Sequence, residues 1–220
     1  MKVCTDACLF GAWVASVIER DHSIQHILDI GTGTGLLSLM LAQKTAAHID
    51  AVEINQAAAL QARENINNSP WKERVKLTHQ AIENFEPVKK YDLIISNPPF
   101  FEDDLKSLHP AKNAAKHDTT LTLDTLLIHI QRLLKDNGTA AVLIPYHRTG
   151  YVENCAKENR FSVQYKMLVK QSDSHGYFRS MLFLSKNSSE TFTEELFIHD
   201  KERLYSDAFT ALLKEYYLKL

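Results

Sequence analysis

Two polar segments of this sequence hold residues whose types and spacing could do chemistry. The first is Ser96-Asn97-Pro98-Pro99-Phe100-Phe101. The amine on a conjugated ring is a weak nucleophile, because its lone pair is delocalised into the ring. Two acceptors on its N–H bonds favour a pyramidal nitrogen and return the lone pair to it. The Asn97 side-chain carbonyl and the Pro98 backbone carbonyl are two such acceptors. Pro98 and Pro99 fix the backbone so that both converge. Phe100 offers a ring for a target base, and a base–aromatic stack is worth roughly 1–3 kcal/mol. Group transfer to a nitrogen held this way needs alignment above all, and positioning alone reaches effective molarities of ~10⁵–10⁸ M. No general base and no metal are expected. An ordinary turn is the plain alternative for this segment taken alone.

The second segment is Asp29-Ile30-Gly31-Thr32-Gly33-Thr34-Gly35. Its glycines allow a sharp turn and close approach to a ligand. A helix after it would present free N–H groups at its start. The spacing is GxGxG, not the GxGxxG of nicotinamide sites, and no Walker lysine follows. Glu53 comes 18 residues after Gly35, where an acid can accept the ribose hydroxyls of a nucleoside cofactor. No phosphate is implied. Asp29 either orders the glycine loop or meets the cofactor itself. A structural turn and a solvated acid are the plain alternatives, and the joint presence of loop, Asp29 and Glu53 argues against both.

The elements around these segments follow from hydrophobic periodicity. Leu9, Trp13, Val17 and Ile18 recur at helical spacing, so 5–19 reads as an amphipathic helix. HILDI (26–30) is a buried strand entering the glycine turn. A helix over 36–43, a strand over 48–53, a helix over 56–67 and strands over 75–79 and 91–96 follow in turn. Residues 102–120 are polar and read as a loop. A helix is expected over 121–134, closed by Asn137-Gly138 as its C-cap. Then come a strand over 139–144 and a helix over 147–159. Strands over 161–169 and 177–184 are joined by QSDSHG without a helix, so they should be antiparallel. Residues 186–193 read as a polar link and 206–217 as a last helix. Alternating strands and helices imply a mainly parallel sheet covered on both faces. GTGTG, VEIN and NPPFF all fall at carboxyl ends of strands, where such sheets bind ligands.

Composition narrows the class. The chain has 220 residues, 45% hydrophobic and 24% charged, enough for a globular core without staples. The cysteines Cys4, Cys8 and Cys155 form no CxxC pair, which argues against a disulfide framework and a four-ligand zinc site. They read as reduced thiols in a cytoplasmic protein. No stretch approaches the ~20 apolar residues of a membrane span. The opening segment is interrupted by Asp6 and lacks a cleavage signal, so it is not read as a signal peptide. A net charge of −2 excludes a general nucleic-acid coat but leaves room for local basic patches. Lys106, His109, Lys112, Lys116 and His117 form one candidate patch, Lys166, Lys170, His175 and Arg179 another. Plain solvation is the alternative for both.

DIGTGTG followed by VEIN resembles motifs I and II of the class I S-adenosyl-L-methionine (AdoMet)-dependent methyltransferases. SNPPFF resembles the (D/N/S)PP(Y/F) motif of amino methyltransferases. The opening MKVCTDACLFGAW, with Cys4 in place of a common glycine, is similar to that of the bacterial tRNA1(Val) adenine-N6 methyltransferase family. So is Ala115-Lys116-His117-Asp118 with Thr120-Leu121. The resemblance covers nearly the whole chain. It implies an α/β, Rossmann-like fold: a seven-stranded, mainly parallel sheet with an antiparallel last strand and helices on both faces. It also implies one methyltransferase domain over 1–220, with an N-terminal helix in 1–20 and a C-terminal appendage in 187–220. Relatives carry a short segment before the position of Met1, which implies an internal start or a truncation.

The resemblance implies AdoMet as cofactor, held by Asp29, Gly31, Thr32, Gly33, Gly35, Glu53, Ile54 and Asn97. The acid that often contacts adenine after the third strand is absent from Gln80-Ala81-Ile82, so Ala81, Ile82 and backbone groups take that place. Thr5 and Asp6 are expected to face the cofactor site, or else to N-cap the first helix. Asn97, Pro98, Pro99 and Phe100 would be catalytic. Phe100, Phe101, Lys116, His117 and Arg179 would meet the substrate. The implied reaction is methylation of adenine N6 in RNA, at adenosine 37 of valine tRNA, by a cytoplasmic monomer without metal. Guanine-N2 rRNA and protein-glutamine N5 methylation use similar motifs. An inactive AdoMet-binding RNA-interaction module is the non-enzymatic alternative, opposed by the intact Asn97-Pro98-Pro99-Phe100.

Overall fold

The computed structural model describes residues 4–98, 121–187 and 190–219. Its helices are α1 (Thr5–Ile18), α2 (Leu36–Lys44), α3 (Gln56–Asn67), α4 (Leu123–Leu133), α5 (Thr149–Glu158) and α6 (Asp207–Leu213). Its strands are β1 (His26–Ile30), β2 (His48–Glu53), β3 (Val75–His79), β4 (Tyr91–Ser96), β5 (Leu134–Pro145), β6 (Ser162–Lys170), β7 (Tyr177–Ser185) and β8 (Phe192–Phe197). Among the described residues they form one sheet in the order β3-β2-β1-β4-β5-β7-β6-β8.

The apolar runs of β1 and β4 are buried on both faces, as interior parallel strands require. One core lies under α1, α2 and α6, with Leu9, Phe10, Trp13, Ile27, Leu93, Leu143 and Phe209. The other lies under α4 and α5, with Leu28, Ile94, Leu126, Ile130, Val152 and Leu182. Pairs β1–β2, β1–β4, β2–β3 and β4–β5 are parallel. β7 runs antiparallel to both β5 and β6, as the helix-free QSDSHG link implies.

Five details differ from the sequence reading. Asn137-Gly138 is no helix C-cap, because α4 ends at Leu133 and both residues lie inside β5. Gly138 is needed for close approach: a Cβ there would meet the Asp92 carbonyl and the Leu134 side chain at 2.9 Å. The segment read as a polar link contains the start of β8, which pairs parallel with β6 and makes eight strands of the expected seven. Only Leu196 of β8 is buried, so alternation gave no signal at this edge. The helix expected over 147–159 opens with a 3₁₀ turn, Tyr146–Arg148. The last helix is shorter than expected, capped by Ser206 on the Phe209 N–H. At the first helix, Cys4 takes the N-cap position without a side-chain capping hydrogen bond. Thr5 and Asp6 therefore lie in the first turn and do not form a cap pair.

Gly138→Ala should destabilise the fold by about 1–3 kcal/mol, the range for overpacking. A fall in thermal midpoint with unchanged far-ultraviolet circular dichroism at low temperature checks it. An unshifted midpoint would show that β4 and β5 yield without strain.

Candidate active site

The carboxyl ends of β2, β1 and β4 lie side by side, because Ile30 pairs with Val52 on one flank and Ser96 on the other. The chain passes from β1 to β2 and β3 on one flank and then crosses to β4 on the other, a topological switch of the kind at whose carboxyl edge such sheets bind ligands. The glycine loop hangs there from one carbonyl. Gly31 and Thr32 N–H groups both donate to Val52 O, at 2.9 and 3.1 Å. Gly31, Gly33 and Gly35 have φ of 71°, 60° and 84°, the left-handed region that favours glycine. A Cβ on Gly31 would meet nothing within 4 Å among the described residues, so they leave the space before it open.

Asp29 is fully buried beneath the loop. Its Oδ2 accepts from Thr32 Oγ (2.6 Å), Ser38 Oγ (2.7 Å) and Ser38 N–H (3.1 Å). Its Oδ1 is buried and has no hydrogen-bond partner among the described residues. Burial pushes the carboxyl up to about 6, against the hydrogen bonds of Thr32 and Ser38 and with help from Glu53. Ser38, in the first turn of α2, was missed by the sequence reading. Its spacing from Gly35 is the signal, since it can turn toward the strand end.

Glu53 is buried at 7% exposure. Its Oε2 accepts from Gly33 N–H and its Oε1 from Asn55 N–H, both at 2.8 Å. Each carboxylate oxygen keeps further acceptor capacity. Asn55 also caps α3 through Ala58 N–H, and Asn65 of α3 donates to Thr34 O at 2.8 Å. Thus α3 braces the loop from behind. Ile54 is 55% exposed, while Ile82 is 5% exposed and belongs to the core with Val52 and Phe85. Ala81 caps the 3₁₀ turn Ile82–Asn84.

Ser96 Oγ donates to Ile30 O at 2.9 Å, tying the end of β4 to β1. Asn97 therefore emerges beside the glycine loop. Its Oδ1 is buried and has no hydrogen-bond partner among the described residues. Such an orphan acceptor costs about 1–3 kcal/mol unless a ligand satisfies it. Pro98 is buried next to it. Pro99, Phe100, Phe101, Lys116 and His117, and the rest of the first basic patch, lie outside the described residues.

Arg179, expected at the substrate, donates its Nε to Asp6 Oδ2 at 2.8 Å. That pair joins the start of α1 to the start of β7, where Arg179 sits opposite Pro145. Thr5 is exposed. In the second basic patch Lys166 pairs with Glu153 at 2.6 Å and Lys170 with Glu195 at 3.7 Å. Among the described residues no group of three or more His, Cys, Asp or Glu could hold a metal ion. No described helix is long and apolar enough to cross a membrane.

Residues 12–163 match the methyltransferase small domain family. A tRNA1(Val) (adenine(37)-N6)-methyltransferase of Dyadobacter fermentans is 42% identical over 224 residues, covering 100% of this chain and 91% of that protein. Among solved structures, a predicted O-methyltransferase of Agrobacterium tumefaciens aligns with a TM-score of 0.72 at 15% identity, covering 93% of this chain and 95% of that one. A magnesium protoporphyrin IX methyltransferase of Synechocystis, solved with bound S-adenosylmethionine, aligns with a TM-score of 0.58 at 16% identity, covering 82% and 80%. At these identities the two structures speak for the fold.

Removing the buried carboxylate should cost more than removing one of its donors. Asp29→Ala leaves three buried donors unpaired, an expected loss of about 3 kcal/mol or more. Ser38→Ala should lose about 1 kcal/mol. Urea unfolding of both variants checks the order, and equal losses would show that Asp29 does not hold the loop.

Proposed function

This chain belongs to the methyltransferase small domain family and to the tRNA1(Val) (adenine(37)-N6)-methyltransferases, and from that premise we propose that it methylates N6 of adenosine 37 in valine tRNA, with AdoMet as donor. The observation that carries the reading is the pair of buried, unpartnered acceptors, Asp29 Oδ1 and Asn97 Oδ1, at one edge of the sheet. The open space at Gly31 lies at the same edge. These features fit a ligand with a cationic end and a substrate with an N–H to donate.

When bound, AdoMet supplies an electrophilic methyl group on a sulfonium. Glu53 would accept the ribose hydroxyls through its remaining lone pairs, while Gly31, Thr32, Gly33 and Gly35 would give the backbone close approach. Asp29 Oδ1 would accept from the ammonium of the methionine end. Ile54 would offer an apolar face to the cofactor's adenine, with backbone groups at Ala81 and Ile82. Thr5 and Asp6 are assigned to the rim, Asp6 through its bond to Arg179. Asn97 Oδ1 and the Pro98 carbonyl accept from the two N6–H bonds of the substrate adenine, and the lone pair localises on nitrogen. As the N–C bond formed, the S–CH₃ bond of the donor would break, its electron pair staying on sulfur as a neutral thioether, and the nitrogen would lose a proton to solvent. Pro99 is assigned to restricting the backbone of this segment. Phe100 and Phe101 are assigned to the target base, Lys116 and His117 to RNA phosphates. The enzyme is read as a metal-free cytoplasmic monomer.

Incubation with tRNA and labelled AdoMet, followed by nucleoside mass spectrometry, should give N6-methyladenosine. Methylguanosine, or label in protein glutamine, would replace this reading. Asn97→Ala should lower kcat by about 10²–10³-fold, the scale for losing one preorganised hydrogen-bonding group, with the AdoMet Kd within about twofold. Unchanged turnover would remove the assignment.

The Asp29 carboxyl, raised to about 6, gives AdoMet binding a pH dependence. The ionised form attracts the ammonium and the protonated form does not. Affinity should therefore be full above pH 6 and fall below it, by up to about tenfold per pH unit. Asp29→Asn should bind weakly and flatly across pH 5 to 7.5 by calorimetry. A wild-type affinity that is level through pH 6 would remove Asp29 from the cofactor site.

A further inference from the structure

We propose that Tyr146 is a stacking platform for an unpaired nucleotide next to the methylated adenine. The proposal rests on the functional reading above and goes beyond the residues assigned there.

The position of the ring comes from strand register. β4 and β5 are paired with Ser96 level with Val142, so Pro98 stands level with Ile144. Asn97 accordingly stands level with Leu143, and Tyr146, the residue after the end of β5, leaves the same carboxyl edge one strand over, three residues or ~10 Å further out. Tyr146 is 39% exposed. It is also immobilised from below. Tyr146 O accepts from Thr149 Oγ at 2.6 Å, and Thr149 Oγ shares a 2.7 Å bond with buried Ser180. The ring packs against Tyr177 with centroids 4.9 Å apart. Tyr177 is held in turn by a hydrogen bond to Glu195 and by Lys170 Nζ, 4.4 Å from its ring centre. A second ring, Tyr151, is 41% exposed and carries the Arg148 guanidinium 4.4 Å above it. A large aromatic side chain fixed on one side and open on the other costs little ordering on binding.

The chemistry of the substrate calls for such a surface. An adenine drawn to Asn97 leaves the base stack, and its neighbours lose a stacking partner. Sequence-tolerant stacking on protein rings replaces that loss in single-stranded RNA. Charge is a poor alternative on this surface. Lys170 faces Glu195 and Arg179 faces Asp6, while Asp173 is exposed in the neighbouring turn. The contribution of Tyr146 should therefore be apolar and insensitive to salt.

Steady-state methylation of tRNA provides the test. Tyr146→Ala should raise KM for tRNA about 5–150-fold, one base–aromatic stack converted to affinity. AdoMet affinity and thermal midpoint should stay near wild type, and Tyr146→Phe should restore KM. The loss should be the same at 50 and 200 mM salt, whereas phosphate contacts weaken steeply over that range. Phe192→Ala, at the opposite edge of the sheet and 59% exposed, should leave KM unchanged. An anticodon stem-loop with 5-iodouridine beside the target adenine, on each side in turn, should photocross-link to Tyr146 in the wild-type protein. The platform falls if Tyr146→Ala leaves KM unchanged, if Phe is no better than Ala, or if the loss follows salt. Should Tyr146→Ala fail to fold, absence of the wild-type cross-link at both positions overturns it. If the wild-type enzyme methylates no tRNA at all, the functional reading falls and the platform with it.

Discussion

One buried oxygen, Asp29 Oδ2, organises the edge on which the other features rest. It sits where the chain leaves β1 and collects three donors, two of them from Ser38 in the first turn of α2. A carboxylate taken fully out of water is costly unless hydrogen bonds surround it. Here they surround one oxygen and leave the other without a partner among the described residues, and burial raises the carboxyl to about 6 against those hydrogen bonds. Strand end and helix start cannot then separate. The glycine loop between them takes the left-handed conformations it shows, with its first two N–H groups turned onto Val52. The loop is thus preorganised by burial beneath it, and at Gly31 an added Cβ would meet no described atom within 4 Å.

From that fixed point the rest of the site follows by register. β1 sets β2 through Ile30 and Val52, which brings Glu53 under Gly33. It sets β4 through Ile30 and Ser96, which brings Asn97 beside the loop. Each acceptor is held on a strand end, where a shift of one residue would reverse its direction. Rigid placement matters for this chemistry, because a sulfonium already carries its activation and alignment supplies the remaining advantage.

The sequence made these positions legible wherever one local rule governed them. HILDI and YDLIIS are apolar on both faces and could only be interior strands. Glycines at 31, 33 and 35 marked a turn that needs positive φ, and the structure gives each of them one. Other features arose from distant contacts and left little local trace. Asn137-Gly138 looks like a helix stop, yet Gly138 is small because Asp92 O and Leu134 crowd it from elsewhere in the chain. Phe192–Phe197 carries Glu194 and Glu195 in its middle, so only pairing with β6 defines it as a strand. Arg179 looked like a free cation beside an RNA site. Its partner, Asp6, is 173 residues away, a distance that composition and periodicity do not span.

The fate of the basic side chains bears on how an enzyme of net charge −2 could grip a polyanion. Three of the four cations in the second patch are tied to carboxylates: Lys166 to Glu153, Lys170 to Glu195 and Arg179 to Asp6. Each such pair offers little field to a phosphate, because the acid beside it cancels the charge within a Debye length. Two of these pairs do structural work next to the site. Arg179–Asp6 anchors α1 against β7, and Lys170–Glu195 holds the ring of Tyr177 from both its face and its hydroxyl. These paired charges thus fix α1 and the ring of Tyr177, and the aromatic rings presented outward are Tyr146 and Tyr151, the latter carrying the Arg148 guanidinium. A flank built that way favours unstacked bases over duplex backbone, which is the discrimination a modification beside an anticodon requires.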